Sequence, residues 1–230
     1  MQERNDTKGE QGLILTPQKM MFDKTRTALR YQIMGRASAN PLWFLASQAL
    51  DLGLEHHTGF RKDGATPEFQ HQVAIALHLL TMEKYLRDAP RTIAGALLHD
   101  LGEDHSDKIS FEEIGERTDR IIEADCRLLA KEYRGVKKTP EAYFEPLAAN
   151  FRVSVIKGGD RVHNLSTMAG VFNLLKQIAY CDETEEHFFK FLKLARRNFP
   201  DQEPIYENLK FTMRTQIKIF RSAHLQGVAA

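Results

Sequence analysis

Apolar positions recur along this chain at helical spacing and are broken by helix stop and start signals. Leu42, Leu45, Ala46, Ala49 and Leu50 form one stripe, with Gly53 placed to end it. Phe69, Val73, Ala76, Leu77 and Leu80 form a second, and Ile121, Ile122, Leu128 and Leu129 a third. Asn40-Pro41, Thr66-Pro67 and Thr139-Pro140 each set a capping side chain before a proline suited to a first helical turn. Ser110-Phe111-Glu112-Glu113 has the form of a capping box. Alternating β-branched runs between tight turns are missing, and only Ile14–Thr16 and Gly59–Arg61 leave room for a short extended piece. The pattern predicts an all-α chain of about eight to ten helices. Residues 1–12 read as a flexible polar tail and residues 13–230 as a single domain, with no linker, repeat or low-complexity tract to divide it.

Composition narrows the function classes. Of the 230 residues, 42% are apolar, too many for a disordered chain and enough for one large core. Thirty-two basic against 31 acidic side chains leave a net charge of +1, which argues against a nucleic-acid binder or a polybasic membrane anchor. The N-terminus lacks an apolar leader stretch, and no apolar run reaches membrane-spanning length. Cys126 and Cys181 form no paired motif and read as reduced core thiols. The expectation is a soluble cytoplasmic protein, with no membrane or nucleic-acid partner. The sequence carries no signal for oligomeric state.

Three segments concentrate the chemistry. In Leu98-His99-Asp100-Leu101-Gly102-Glu103-Asp104-His105, helical spacing stacks His99 on Glu103 and Asp100 on Asp104. Acids crowded at the end of a buried run repel one another, and a divalent cation held by carboxylate and imidazole removes the conflict. Glu103 and Asp104 beside such an ion could orient and deprotonate a water. The plainer alternative is a solvated turn where the helix ends at Gly102. In Val155-Ile156-Lys157-Gly158-Gly159-Asp160-Arg161-Val162-His163-Asn164, apolar neighbours bury Asp160, which then needs a cation: a metal, or a salt bridge to Arg152, Lys157 or Arg161. Two glycines within that helix point to close approach of another, expected to be the helix of His99 and Asp100. In Arg61-Lys62-Asp63-Gly64-Ala65-Thr66-Pro67-Glu68-Phe69-Gln70-His71, two cations in a glycine-containing loop make either a phosphate pocket or a solvated patch. His71 follows one turn into the helix that Thr66-Pro67 opens.

Taken together, His…His-Asp…Asp resembles the HD superfamily of metal-dependent phosphohydrolases. The fold implied is one HD-domain helical bundle, here with additional N- and C-terminal helices. Arg-Lys-x-Gly at 61–64, His-Asp-x-x-Glu-Asp at 99–104 and Asp-Arg-x-His-Asn-x-x-Thr at 160–167 resemble more narrowly the hydrolase domain of the RelA/SpoT alarmone family. The likeness covers about residues 60–170. It implies that His71, His99, Asp100 and Asp160 hold one divalent metal, manganese (Mn2+) in that family. It further implies that Glu103 and Asp104 position the attacking water, that Arg61 and Lys62 hold the purine, and that Asn164 and Thr167 lie by the nucleotide. The implied reaction removes the 3′-pyrophosphate of (p)ppGpp, a small-molecule nucleotide, leaving GDP or GTP. The chain is similar to stand-alone small alarmone hydrolases.

Departures cluster beside the first segment. Its loop is one residue longer than the family pattern, Glu68 stands where tyrosine is common, and Gln72 replaces a proline. The base is therefore open between guanine and adenine, (p)ppGpp or (p)ppApp. An HD nucleotidase or dNTP phosphohydrolase of other specificity is the alternative enzyme, and a nucleotide-binding regulator or antitoxin the non-catalytic one. Lys137-Lys138 is a further candidate for the pocket's edge. His56-His57 reads as loop, His78 as core edge and His105 as a group behind the metal ligands. Trp43-Phe44 and Phe188-Phe189 read as helix packing.

Overall fold

A computed structural model describes residues 16–133, 135–169 and 171–227. The expected tail, the start of the Ile14–Thr16 piece and Gly170 lie outside the described residues. The chain is all-α, as the periodicity predicts. Of twelve α-helical segments among the described residues, ten run nine residues or more. Around the site these are α1 (Pro17–Ala37), α2 (Phe44–His56), α3 (Gln70–Leu80), α4 (Ala89–Leu98) and the single turn α5 (Leu101–Asp104). Next come α6 (Phe111–Arg117), α7 (Arg120–Leu129), α8 (Pro140–Ala148) and α9 (Phe151–Thr167). The outer layer is α10 (Leu174–Glu183), α11 (Phe189–Asn198) and α12 (Glu203–Gly227). A π-helical turn, Thr184–Phe188, joins α10 to α11.

Helix α4 is the centre. Asp88 caps it by accepting from the Arg91 amide, Pro90 sits in its first turn, and every residue from Thr92 to Leu98 is buried. Helices α2, α3, α7 and α9 surround it. Apolarity all round is the signature of a helix with no solvent face. Asn150 caps α9 by accepting from the Arg152 and Val153 amides, while its own amide donates to Asp125 on α7 at 2.8 Å. Arg152 joins the same carboxylate at 2.5 Å, so the start of α9 is tied to α7 by a buried ion pair.

The glycines report where helices touch. A Cβ at Gly158 would meet Leu209 of α12 at 2.7 Å, and one at Gly159 would meet Ile75 of α3 at 3.1 Å. The predicted close approach is therefore real, but its partners are α12 and α3. Gly95 on α4 is the position that receives α9, with Ile156 at 2.8 Å from where its Cβ would lie.

Several expectations are corrected. Gly53 does not end α2; it lies within it, where the Phe69 ring occupies the space of a Cβ, and His56 continues the helix. Thr66-Pro67 does not open α3, because Pro67 pairs with Phe60 in an isolated antiparallel bridge and the helix begins at Gln70. Helix α4 stops at Leu98 rather than at Gly102, with a turn at His99-Asp100 before α5. A two-stranded pair, β1 (Glu132–Tyr133) and β2 (Val136–Lys137), turns through Gly135 at φ +79°. Lys138 does not edge the pocket: its ammonium donates to the Arg127, Leu128 and Ala130 carbonyls, closing the C-terminus of α7. Ser110 and Thr139 cap α6 and α8 as expected, and Trp43 and Phe188 are buried packing residues. Phe44 is exposed. Both cysteines are buried free thiols whose pKa burial raises. No helix among the described residues is long and apolar enough to cross a membrane.

Gly53→Ala tests the packing that places α3. Alanine is the better helix former by about 1 kcal/mol, but its Cβ would lie 2.2 Å from the Phe69 ring. The clash outweighs the propensity, and urea unfolding should show a net loss of about 1–3 kcal/mol. A stabilised variant would contradict the packing described.

Candidate functional site

Three elements deliver the site. His71 projects from the first turn of α3, His99 and Asp100 from the turn after α4, and Asp160 from the middle of α9. Their ligating atoms form a ring. His71 Nε2 lies 3.2 Å from Asp160 Oδ1 and 3.7 Å from Asp100 Oδ2. His99 Nε2 lies 2.9 Å from Asp100 Oδ2 and 3.9 Å from Asp160 Oδ1. Each acid thus faces both imidazoles, with the two carboxylates at opposite corners. All four residues expected to hold the metal come together.

The protonation pattern fits an ion. His99 Nδ1 donates to the Ala96 carbonyl at 2.9 Å, which leaves the Nε2 lone pair facing the ring. That Nε2 is buried, and its 2.9 Å contact with Asp100 Oδ2 lacks the alignment of a good hydrogen bond. Atoms bound to one first-row ion at about 2.1 Å lie about 3.0–3.6 Å apart at right to trigonal angles, close to the edges seen here. Buried His71, His99 and Asp160 therefore form a group that could hold a divalent metal, with Asp100 beside them.

Electrostatics follow from burial. Desolvation alone would neutralise Asp160, but Lys157 at 2.8 Å, helped by the imidazoles, holds its pKa well below the ordinary value. Of the three cations weighed for it, Arg152 is taken by Asp125 and Arg161 by Glu183 at 2.8 Å. Burial would also lower the pKa of His99, yet Asp100 and Asp160 outweigh it and raise the value to about 9. For His71 burial wins and the pKa falls. Burial, then the charges of Asp100 and Glu103, lift Asp104 to about 7.

The remaining expected residues divide. Asp104 lines a cavity of about 540 Å³ with His71, Asp100, Arg61, Lys62, Asn164 and Thr167. Arg61 donates to Thr167 Oγ1 at 3.5 Å, and the Lys62 ammonium lies 5.3 Å from the Phe172 ring centroid. Asp63 accepts from the Ala65 and Thr66 amides and Gly64 adopts φ +69°, so the loop that presents both cations is a closed turn. The Asn164 amide is spent on Asp160 Oδ1 at 2.5 Å. Glu103 departs from its expected place: its two oxygens accept from the Lys131 and Glu132 amides, each at 3.0 Å. It anchors the strand pair, and the His99–Glu103 stack does not form because α4 ends between them.

Sequence reasoning assigned no role to His163. It lies one turn beyond Asp160 on α9, and its Nδ1 is 2.8 Å from His71 Nδ1. Burial and the neighbouring His71 depress its pKa to about 3, so it stays neutral and can accept the His71 Nδ1 proton, leaving His71 Nε2 for the ring. The i, i+3 spacing from Asp160 was the available signal. His57, expected in a loop, is buried against Phe69 and touches His105. Its pKa falls to about 3 through burial and then the charge of His105. His78 is a partly buried neighbour of Asn208.

No family model matches the chain. A chloroplastic protein of Oryza sativa subsp. japonica, RSH1, which carries the name of a GTP diphosphokinase, is 30% identical to it over 165 residues. The match takes in 64% of this chain but only 17% of that protein.

Buried imidazoles give the ion-free protein a defined stability profile. His57 and His163, with pKa values of about 3, remain neutral in the fold where an unfolded chain protonates them, and burial shifts His71 in the same direction, so acidification from pH 6.5 favours unfolding. Asp104 opposes this with the one proton it keeps up to about pH 7. Counting His57 and His163 against Asp104, the unfolded chain holds a net excess of one proton, which costs roughly 1–2 kcal/mol between pH 6.5 and about pH 5, and His71 and His78 shift in the same direction. Above pH 6.5 the contribution of His99 drains away as pH climbs towards about 9. Urea titrations of chelator-treated protein should peak near neutrality, and stability that rises on acidification would contradict the assignments.

Proposed function

We propose that this protein is a Mn2+-dependent hydrolase that removes the 3′-diphosphate of a purine alarmone, (p)ppGpp or (p)ppApp. The observation that carries the reading is the convergence of His71, His99, Asp100 and Asp160 at one end of a cavity whose other side presents Arg61 and Lys62. The sequence likeness to a protein named for chemistry on GTP supports the guanine nucleotide class. A cavity of about 540 Å³ is of a size that accepts a nucleotide.

His71, His99, Asp100 and Asp160 hold the ion, which supplies Lewis-acid polarisation of the phosphoryl oxygens and lowers the pKa of water when bound. Asp104, with its pKa near neutrality, accepts the proton of the attacking water. The water oxygen bonds to phosphorus, the bond from phosphorus to the 3′-oxygen breaks, and that oxygen takes up a proton from solvent while Asp104 releases the one it accepted to bulk water. Arg61, steadied by Thr167, and Lys62 bind the nucleotide at the cavity mouth. Asn164 and Lys157 keep Asp160 ionised and oriented. Glu103 acts at one remove: it fixes the Lys131–Glu132 backbone and its charge helps to raise Asp104.

The deciding experiment incubates the purified protein with Mn2+ and a panel of ppGpp, pppGpp, ppApp and dNTPs, with products separated by chromatography. The expected result is pyrophosphate together with GDP, GTP or ADP. The name of the rice relative describes diphosphate transfer, so ATP with GTP forms a further arm, and product there alone would overturn hydrolysis. Asp104→Asn should lower kcat about 100- to 10,000-fold while leaving the metal content unchanged. Arg61→Ala should raise KM with kcat nearly intact. An Asp104→Asn enzyme of full activity would remove that carboxylate from the mechanism.

A further inference from the structure

A second constellation of metal-binding side chains lies beside the first. His57 closes the end of α2, Glu68 lies just before α3, and His105 follows α5, so three separate segments supply it. His57 Nδ1 is 3.1 Å from His105 Nε2, Glu68 Oε1 is 3.5 Å from His105 Nε2, and Glu68 Oε1 is 3.7 Å from His57 Nδ1. The His57 side chain is fully buried and that of His105 is 12% exposed, while Glu68 reaches the cavity shared with His71, Asp100 and Asp104.

A hydrogen-bonded network does not account for this triangle. A single proton can join the two imidazole nitrogens at 3.1 Å, but the carboxylate stands at the outer limit of hydrogen-bond distance from His105, at 3.5 Å, and beyond it from His57, at 3.7 Å. Three atoms that converge with edges of 3.1–3.7 Å match three corners around one ion whose bonds are about 2.1 Å long. The same relation holds in the ring of His71, His99, Asp100 and Asp160, where two contacts are likewise too long for hydrogen bonds. His57 Nε2 is also buried without a partner, so no alternative hydrogen bond on its far side dictates how the ring is turned. What orients it is stacking on Phe69, centroids 5.4 Å apart, which keeps Nδ1 towards Glu68 and His105.

The geometry points to a second divalent-metal site formed by His57, Glu68 and His105. Two imidazoles and one carboxylate suit a first-row transition ion, zinc or manganese, and three protein ligands leave positions open on the cavity side. Glu68 makes the link to the first centre, since it borders the same cavity as Asp104. An ion there adds positive charge next to a crowd of carboxylates, Glu68, Asp100 and Asp104, and gives an anionic ligand in the cavity a second electrophilic contact. The site itself does not rest on the hydrolase reading.

Ion counting tests it. The full chain, stripped with chelator and freed of any histidine tag, is saturated with Mn2+ or Zn2+ and weighed by native mass spectrometry. Wild-type protein should carry two ions per chain, and Glu68→Gln and His105→Ala should each carry one. Glu68→Gln changes no shape and removes only the charge, so it keeps the test open should His105→Ala fail to fold. A wild-type chain that saturates at one ion, or a folded Glu68→Gln chain that still holds two, overturns the proposal. Asp160→Asn should also lose one ion. If it alone retains two while Glu68→Gln drops to one, the second site stands and the reading of the first centre fails.

Discussion

Acids cannot crowd into an apolar interior unless positive charge, or groups that accept their lone pairs, are built around them. Asp160 sets that requirement here. It sits in the middle of α9, a helix packed on α3, α4 and α12, and is only 5% exposed. Lys157 answers one oxygen and Asn164 the other, so the carboxylate stays ionised and still presents an edge to His71. The rest of the architecture can be understood as what makes this placement possible. Gly159 admits α3 with His71, Gly95 admits α9 against α4, and the end of α4 then swings His99 and Asp100 to the other two corners.

Much of this was legible because the chemistry rides on local motifs. His99-Asp100 is a contiguous pair, and Asp160, Asn164 and Thr167 share one helical strip, so spacing alone places them together. The helical class was legible for a similar reason: capping residues such as Ser110 and Thr139 act within one turn. What escaped depends on partners far along the chain. Glu103 has the look of a catalytic acid until its oxygens are seen to meet amides 28 and 29 residues later. Gly53 has the look of a helix stop until the ring of Phe69 is seen to need its space. Lys138 reads as a cation for the pocket's edge until the carbonyls at the end of α7 turn towards it.

The histidines show the same limit more sharply. His57 and His105 are 48 residues apart and neither belongs to an obvious pattern, yet they touch. Glu68 was noticeable only as an acid in a place where the resembling family carries an aromatic ring. Its position makes sense once His57 and His105 are beside it, because a tyrosine there would offer no carboxylate to the pair. His163 was in plain view within its motif, but its partner, the far nitrogen of His71, could be identified only after α3 and α9 had been packed together.

The cavity has two unlike ends, and that asymmetry bears on how a nucleotide would lie. At one end stand the imidazole and carboxylate ring and Asp104. At the other, Phe172 is flanked by the ammonium groups of Lys62 and Lys176, whose nitrogens lie 5.3 and 4.1 Å from its ring centroid. An aromatic face of this kind can stack a flat, polarisable base, while the two ammonium groups beside it also attract phosphate. The imidazole and carboxylate ring, if it holds the proposed ion, favours an anionic group. On the proposed alarmone reading, a base stacked on Phe172 with the diphosphate towards His71 suits both parts of the lining. Arg61, which donates to Thr167, lines the same cavity and adds a further cation for that nucleotide's phosphates.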